Sequence, residues 1–177
     1  MQPTENFNLL ITLQGQKGEN TGEEVLGMEE IELALQNKES NLNFKETKFP
    51  NVILIDLNID PKEVVQILKN APTTVISKVV PMETVTRTRL SNILEKTMQL
   101  TGSKLDHGET ITVRCDLRGK KYIESKENLI KHISDELSDK LNLSINEKNP
   151  DWVVQVEVVG ENTGISVLRE EDILKKS

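Results

Sequence analysis

The sequence is poor in aromatic residues: among 177 residues there are three Phe, one Tyr and one Trp. Modules that read single-stranded nucleic acid, such as RNA-recognition sheets and oligonucleotide-binding barrels, stack bases on aromatic rings. The shortage argues against this mode of recognition, and it means that the core must be built from Val, Ile and Leu. The aromatic residues are Phe7, Phe44, Phe49, Tyr122 and Trp152.

The chain also lacks a second cysteine, which excludes an intramolecular disulfide. Its single cysteine, Cys115, falls on the apolar face of a predicted strand, where it is expected to act as a small buried hydrophobe in a reducing compartment. No signal segment opens the sequence, and no apolar run approaches the roughly 18 residues that span a membrane. These features predict a soluble, cytoplasmic protein without a membrane partner.

Motifs that carry catalytic chemistry are missing as well. No glycine run fits a phosphate loop, a dinucleotide fingerprint or a nucleophile elbow. His107 and His132 lie 25 positions apart with one cysteine between them, which does not fit the ligand spacing of a structural zinc site. The carboxylates are numerous but scattered, so no acid and base pair stands out. The sequence therefore predicts no metal, no cofactor and no enzymatic activity of its own.

Charge is distributed unevenly along the chain. The formal net charge of the chain is −7. Residues 81–131 carry 10 Lys or Arg against 7 Asp or Glu, whereas residues 1–80 and residues 132–177 each have a net charge of −5. The acidic total argues against nonspecific binding of nucleic acid by the whole surface. It leaves room for a local basic patch, and ordinary surface variation is the alternative explanation.

The first 80 residues predict a ferredoxin-like domain. Strands are expected at 7–13, 41–46, 52–57 and 73–80, and helices at 23–36 and 60–70, which is the order of a split βαβ fold. Asp60 and Pro61 supply a cap and a first helical residue. Pro81 is expected to end this unit, because proline cannot continue a strand ladder. The predicted domains are therefore 1–80 and 81–177.

The most informative stretch is 110–141, which holds the densest basic cluster. Alternation predicts a strand over Thr110 to Leu117, and helical periodicity follows from a Ser125 cap to Leu141. Arg114 and Arg118 share the polar face of the strand, and Gly119, Lys120 and Lys121 form the loop before the helix. A helix N-terminus favours anions, so this loop is a candidate anion site. A helix at 87–100 and strands at 152–158 and 165–168 complete the second half.

The second half resembles the THUMP domain. The resemblance is carried by ITVRCDLRG at 111–119, NPDWVVQVEV at 149–158 and TGISVL at 163–168, with Pro81 before the first helix. It covers about residues 80–170, and the preceding half looks like the ferredoxin-like domain that accompanies THUMP in this family. The implied fold class is α+β, an N-terminal ferredoxin-like domain followed by an α/β THUMP domain.

The closest resemblance is to THUMP proteins that act as tRNA-binding adaptors of cytidine acetylation. It implies that the paired domains grip tRNA and that THUMP recognises its acceptor end. In relatives the chemistry is supplied by a fused methyltransferase, thiouridine synthetase or pseudouridine synthase. This chain ends at Ser177 with no room for such a domain. The expectation is a non-catalytic adaptor that presents tRNA to a separate acetyltransferase making N4-acetylcytidine, although the net negative charge departs from what an RNA binder should show.

The resemblance also implies which residues contact RNA phosphates and 2′-hydroxyls. Some match the basic strand end and its loop, and others match the start of the first THUMP helix. Two alternatives stay open for these side chains: pairing of Arg114 across the sheet, and simple solvation of charges on the second helix. A rival function is a ferredoxin-like regulatory module that binds a small anion or metabolite and a protein partner. The predicted RNA-binding residues are Arg87, Arg89, Arg114, Arg118, Gly119, Lys120, Lys121 and Lys126.

Overall fold

The structure is a computed structural model that describes residues 2–15 and 22–176. These residues form two compact units, each with its own sheet and core. The N-terminal unit contains residues 6–82 and 171–176, and the C-terminal unit contains residues 2–5 and 83–170. The division at 82/83 lies two positions beyond the predicted boundary. The two ends of the chain are exchanged between the units: residues 2–5 belong to the C-terminal unit, and residues 171–176 belong to the N-terminal unit.

The N-terminal unit has the predicted order of strand, helix, strand, strand, helix, strand. Its sheet is antiparallel throughout, in the order β10-β4-β1-β3-β2. This arrangement confirms the ferredoxin-like plan, to which the C-terminal end of the chain adds one edge strand. The elements are β1 (Leu9–Leu13), α1 (Glu23–Leu35), β2 (Asn43–Lys45), β3 (Val52–Asp56), α2 (Pro61–Asn70), β4 (Ile76–Pro81) and β10 (Leu174–Lys175).

Local sequence explains both helices of this unit. Asp60 caps α2 as predicted, because its carboxylate accepts a hydrogen bond from the Lys62 amide at 3.0 Å. Gly27 is costly inside α1, but a Cβ at this position would lie 2.8 Å from a δ-carbon of Leu13. The missing side chain therefore lets α1 pack closely against β1.

The C-terminal unit is a mixed sheet with two helices, in the strand order β5-β9-β8-β6-β7. Strand β6 pairs in parallel with β7 and β8, and β9 is antiparallel to β5 and β8. Its core is aliphatic, with Val, Ile and Leu from the strands packed against both helices. The elements are β5 (Thr84–Arg87), α3 (Leu90–Lys104), β6 (Thr110–Arg118), α4 (Lys126–Leu141), β7 (Ser144–Ile145), β8 (Trp152–Val159) and β9 (Asn162–Leu168).

Strand direction brings two helix starts together. Because β9 is antiparallel to both β5 and β8, strands β5, β6 and β8 all run the same way. Helix α3 follows β5, and helix α4 follows β6. The N-termini of both helices therefore lie at one end of the sheet, where β5 and β6 finish.

One sequence expectation at the unit boundary was wrong. Arg87 does not begin a helix, since it ends strand β5, and the helix begins at Leu90. The short run Thr84 to Thr86 is β-branched and favours a strand, but the helical pattern that follows it obscured this signal. Pro81 itself pairs with Leu9 and is the last residue of β4, so the strand ends one residue later than predicted.

Cys115 is buried in the core of the C-terminal unit, as the alternation predicted. Burial, reinforced by the nearby carboxylates of Glu157 and Asp116, raises the pKa of its thiol from 9.0 to about 12. In the part of the chain that the structure describes, no helix is both long and apolar enough to cross a membrane.

Cys115 should therefore be inert in the folded protein. We expect a disulfide reagent at about pH 8 to leave it unmodified in buffer and to react with one thiol per chain in strong denaturant, because the reactive species is the thiolate. Unfolding should also become easier as pH rises above 9, because the thiol of the unfolded chain ionises while the folded one stays protonated. Rapid labelling in buffer would contradict the buried placement, and Cys115→Ala is the blank.

Candidate nucleic-acid interface

Two of the predicted arginines lie in one row across the end of the C-terminal sheet. Arg87 on β5 faces Asn162 on β9, Asn162 faces Val159 on β8, and Val159 faces Arg118 on β6. Residues directly opposite in a sheet share a face, and three strand spacings of about 4.8 Å separate the two ends of the row. Arg87 and Arg118 therefore stand about 14 Å apart on the same face.

The start of α3 is suited to an anion. Arg89 occupies the cap position and is exposed, and the first turn contains no acidic residue. No side chain within 2–15 or 22–176 caps the helix. The side-chain amide nitrogen of Asn92 in this turn is buried and has no hydrogen-bond partner among the described residues. The free backbone N–H groups and the helix dipole both favour negative charge at such a terminus.

The start of α4 carries the lysines. Ser125 caps this helix as predicted, accepting a hydrogen bond from the Asn128 amide at 3.1 Å. Gly119 turns the chain out of β6 with φ 86°, a conformation that favours glycine. The exposed cations here are Lys120, Lys121 and Lys126, and Lys121 lies 5.4 Å from the ring centre of Tyr122.

Acidic side chains also lie near these lysines. Glu124 and Glu127 are exposed beside them, so the positive excess at this loop is moderate. We call the set of exposed or half-buried cations around the two helix starts the basic end. It consists of Arg87, Arg89, Lys120, Lys121 and Lys126.

Arg118 lies at the same end but is engaged by a carboxylate. Its guanidinium donates to Glu157 Oε1 at 2.9 Å, and the Glu157 side chain is fully buried. Gln155 donates to the other oxygen of the same carboxylate. A buried carboxylate needs such partners, so Arg118 holds the end of β6 against β8. Its predicted contact with RNA stays a prediction.

Arg114 lies four residues before Arg118 on β6, about 13 Å away along the strand, and is also paired. Its two terminal nitrogens donate to the two oxygens of Glu170 at 2.8 and 2.9 Å. This is the fork geometry in which a guanidinium binds a carboxylate most specifically. Pairing of Arg114 was an open alternative in the sequence, but Glu170, which follows β9, was not identifiable as the partner because the two residues are 56 positions apart.

The opposite end of the sheet holds a polar cluster that the sequence did not single out. Two cations lie against the ring of Trp152. The guanidinium carbon of Arg169 is 3.7 Å from the ring centre, and the ammonium nitrogen of Lys104 is 5.8 Å from it. Its indole N–H donates to Glu109 at 3.0 Å. Hydrogen bonds from the Asp106 backbone and Trp152 lower the pKa of Glu109. The only cue in the sequence was a single Trp beginning an apolar strand.

A cavity of about 300 Å³ lies beside this cluster, at the C-terminal ends of α3 and α4. His107 and Glu109 are among its lining residues. Across residues 2–15 and 22–176, no group of three or more His, Cys, Asp or Glu is arranged to hold a metal ion.

The Arg118 ion pair generates a stability prediction. Arg118→Ala should lower the free energy of unfolding by about 3–5 kcal/mol, because it removes the guanidinium charge that balances the buried carboxylate of Glu157. The double variant Arg118→Met with Glu157→Met should lose much less, because it removes the buried charge as well. Urea unfolding of the two variants and of the unmodified protein measures this. An Arg118→Ala variant as stable as the unmodified chain would contradict the structural role of the pair.

Comparisons with known proteins identify the second half of the chain. The family model described as the THUMP domain matches residues 87–168. A search of curated proteins found no significant match.

Three solved structures share the architecture of the chain. The protein PH1313 from Pyrococcus horikoshii has a TM-score of 0.71 at 18% identity, covering 92% of this chain and 55% of its own. A 4-thiouridine synthetase solved with RNA and ATP has a TM-score of 0.62 at 18% identity, and the match covers 96% of this chain and 42% of the synthetase. TrmN from Thermus thermophilus has a TM-score of 0.60 at 14% identity, and the match covers 97% of this chain and 46% of TrmN.

This chain thus spans about half the length of the structures it resembles. At these identities the likeness extends over both units and concerns the fold alone. The family match concerns the region that contains the two helix starts and the basic end. Residues 87–168 of this chain form a THUMP domain.

Proposed function

We propose that the chain binds tRNA through the basic end and serves tRNA modification. One observation carries this: the parallel course of β5 and β6 brings the N-termini of α3 and α4 together, with five cations around them. THUMP domains are RNA-binding modules, and one structural neighbour is a 4-thiouridine synthetase solved in complex with RNA.

The chemistry of the basic end fits folded RNA better than single-stranded bases. Lysines, arginines and helix N-termini contact phosphate oxygens, which all sequences share. In residues 83–170 the aromatic residues are Tyr122, which is 40% exposed at this end, and Trp152, which lies at the opposite end of the sheet. The basic end therefore lacks the row of rings that reads unstacked bases. Recognition would therefore follow the shape of the acceptor end, with 2′-hydroxyls as additional contacts.

The net charge of −7 sets a limit on this binding. A polyanion is repelled by the molecule as a whole and attracted only at one end, so the orientation of the bound tRNA is restricted. Binding by this chain alone should be weak and strongly salt-dependent.

We further propose that the chain is a non-catalytic adaptor. In this role it presents tRNA to a separate enzyme, most directly an acetyltransferase that makes N4-acetylcytidine, in the cytoplasm. The resemblance to adaptors of cytidine acetylation supports this assignment. A buried, unreactive Cys115 and carboxylates engaged in structural contacts are compatible with it.

A second candidate function is supported by the start of α3. An uncapped helix terminus beside Arg89, with a buried and unpartnered Asn92 amide, could also hold a small anion or an anionic metabolite. In that case a regulatory module binding a metabolite and a protein partner would be the correct description.

Salt dependence separates tRNA binding from this rival. Lys120→Ala with Lys121→Ala should flatten the slope of log affinity against log salt by about one to two units, because each lost phosphate contact contributes a slope of about 0.7 to 0.9. Filter binding or fluorescence anisotropy with labelled tRNA over a salt series measures it.

A matched control removes two lysines from the other end of the unit. Lys140 lies in the last turn of α4, and Lys148 lies in the loop before β8; both are exposed. Lys140→Ala with Lys148→Ala should leave the slope unchanged. If unmodified protein fails to bind tRNA at low salt, or if both double variants change the slope equally, tRNA binding by the basic end is contradicted.

The adaptor role makes a separate prediction. Incubated with tRNA and acetyl-CoA, the protein alone should yield no N4-acetylcytidine, whereas a tRNA acetyltransferase should gain activity when the protein is added. Mass spectrometry of digested tRNA measures the product. The gain should be smaller with Lys120→Ala and Lys121→Ala, and turnover by the protein alone would overturn the non-catalytic assignment.

A further inference from the structure

Helix α1 of the N-terminal unit has apolar side chains on two opposite sides. One side packs into the core through Gly27, Ile31 and Leu35. On the other side, the side chains of Val25 and Leu33 are 63% and 67% exposed. A surface helix normally shows polar residues on its outer side, so two large exposed apolar residues two turns apart require an explanation.

The exposed apolar residues form a continuous stripe with two carboxylates. Counting from position 25, the members follow at helical spacings of one, four, seven, eight and eleven residues, which places them on neighbouring positions of one side. We call this surface the outer stripe. It consists of Val25, Leu26, Glu29, Glu32, Leu33 and Gln36, all of which are exposed.

The glutamates of α1 divide into two groups. Glu24 accepts a hydrogen bond from the Asn51 amide at 3.0 Å, and Glu30 accepts one from the Thr74 amide at 2.7 Å, so both fix loops of the unit. Glu29 and Glu32 make no polar contact among the described residues. Their charge is not used to hold the fold together, and it lies beside the exposed Leu33.

The surface next to Leu33 is also hollowed. An open depression with a volume of about 360 Å³ is lined by Glu29, Glu32, Leu33, Gln36 and Ser40. A depression with one apolar wall and two carboxylates at its edge can accept an apolar side chain that is flanked by cations.

Charge complementarity selects the occupant. Two copies of the chain meeting through the same stripe would bring the carboxylates of one copy against those of the other, which is unfavourable. Lys38, just beyond the stripe, is paired with Glu63 at 3.4 Å. Nucleic acid would be repelled by the carboxylates. A helix that carries Leu or Ile beside Lys or Arg satisfies both parts of the surface.

We propose that the outer stripe of α1 is a docking site for a basic amphipathic helix of a protein partner. It buries Val25 and Leu33 under the partner's apolar side and pairs Glu29 and Glu32 with its cations. The identity of this partner as the modification enzyme rests on the proposed function, whereas the docking chemistry does not.

The test uses three synthetic peptides of about 18 residues, or five helical turns. One is an amphipathic Leu/Lys helix, one its Leu/Glu counterpart, and one a Leu/Lys peptide with the order scrambled to remove the apolar stripe. Fluorescence anisotropy should show the amphipathic Leu/Lys peptide binding at least about tenfold more tightly than either of the others. Equal binding of the two Leu/Lys peptides would mean unspecific charge attraction and would overturn the docking site.

Variants locate the binding on the protein. Val25→Ser with Leu33→Ser keeps all charges and should weaken peptide binding about tenfold. Glu29→Lys with Glu32→Lys should reverse the preference toward the Leu/Glu peptide. The control Asp139→Lys with Glu147→Lys changes the net charge equally at exposed positions of the other unit and should keep the original preference. If the serine variant binds like the unmodified protein, or the control reverses preference too, the stripe is not the site.

Three further measurements separate the alternatives. Circular dichroism of the serine variant should match that of the unmodified protein, because both replaced residues are exposed. A dimer in solution that the serine variant abolishes would assign the stripe to a second copy and overturn the proposal. Filter binding of tRNA should be unchanged in the serine variant. Peptide binding without tRNA binding would refute the proposed function alone, and tRNA binding without peptide binding would refute the docking site alone.

Discussion

The parallel pairing of β6 with β8 determines where the cations of the C-terminal unit are found. Two parallel neighbours cannot be joined by a hairpin, so the chain must return from the end of β6 to the start of β8 by a crossover, and α4 provides it. The loop that begins the crossover therefore emerges where β6 finishes, and the helix dipole points its positive end there. The same direction in β5 adds the start of α3.

The ion pair at the end of β6 explains why neighbouring cations in the sequence have different roles in the structure. Arg118 is held by a buried carboxylate, whereas the lysines that follow it are exposed. The face of the sheet away from the helices contains polar residues that are nonetheless buried, including Gln155, Glu157 and Ser166. A buried carboxylate requires a cation, and Arg118 provides it. Among the residues that the structure describes, no buried carboxylate pairs with the lysines of the following loop, and these lysines remain exposed to solvent.

Much of the fold was predictable because its determinants are local. The capping roles of Asp60 and Ser125 follow from residue type and position, and the ferredoxin-like order follows from alternating apolar patterns. Strand β5 was missed because four residues give little periodicity, and the edge strand at Leu174 was missed because only two residues pair there. The partner of Arg114 depends on tertiary structure, which local patterns do not encode.

An acidic chain can bind a polyanion only if its cations are collected on one surface, and here the strand directions collect them. Lysine acetylation with an N-hydroxysuccinimide ester, read by mass spectrometry with and without tRNA, tests this most directly. We expect tRNA to protect Lys120, Lys121 and Lys126 and to leave Lys140 and Lys148 as reactive as before. Protection of Lys140 and Lys148, or no difference between the two groups, would contradict the account.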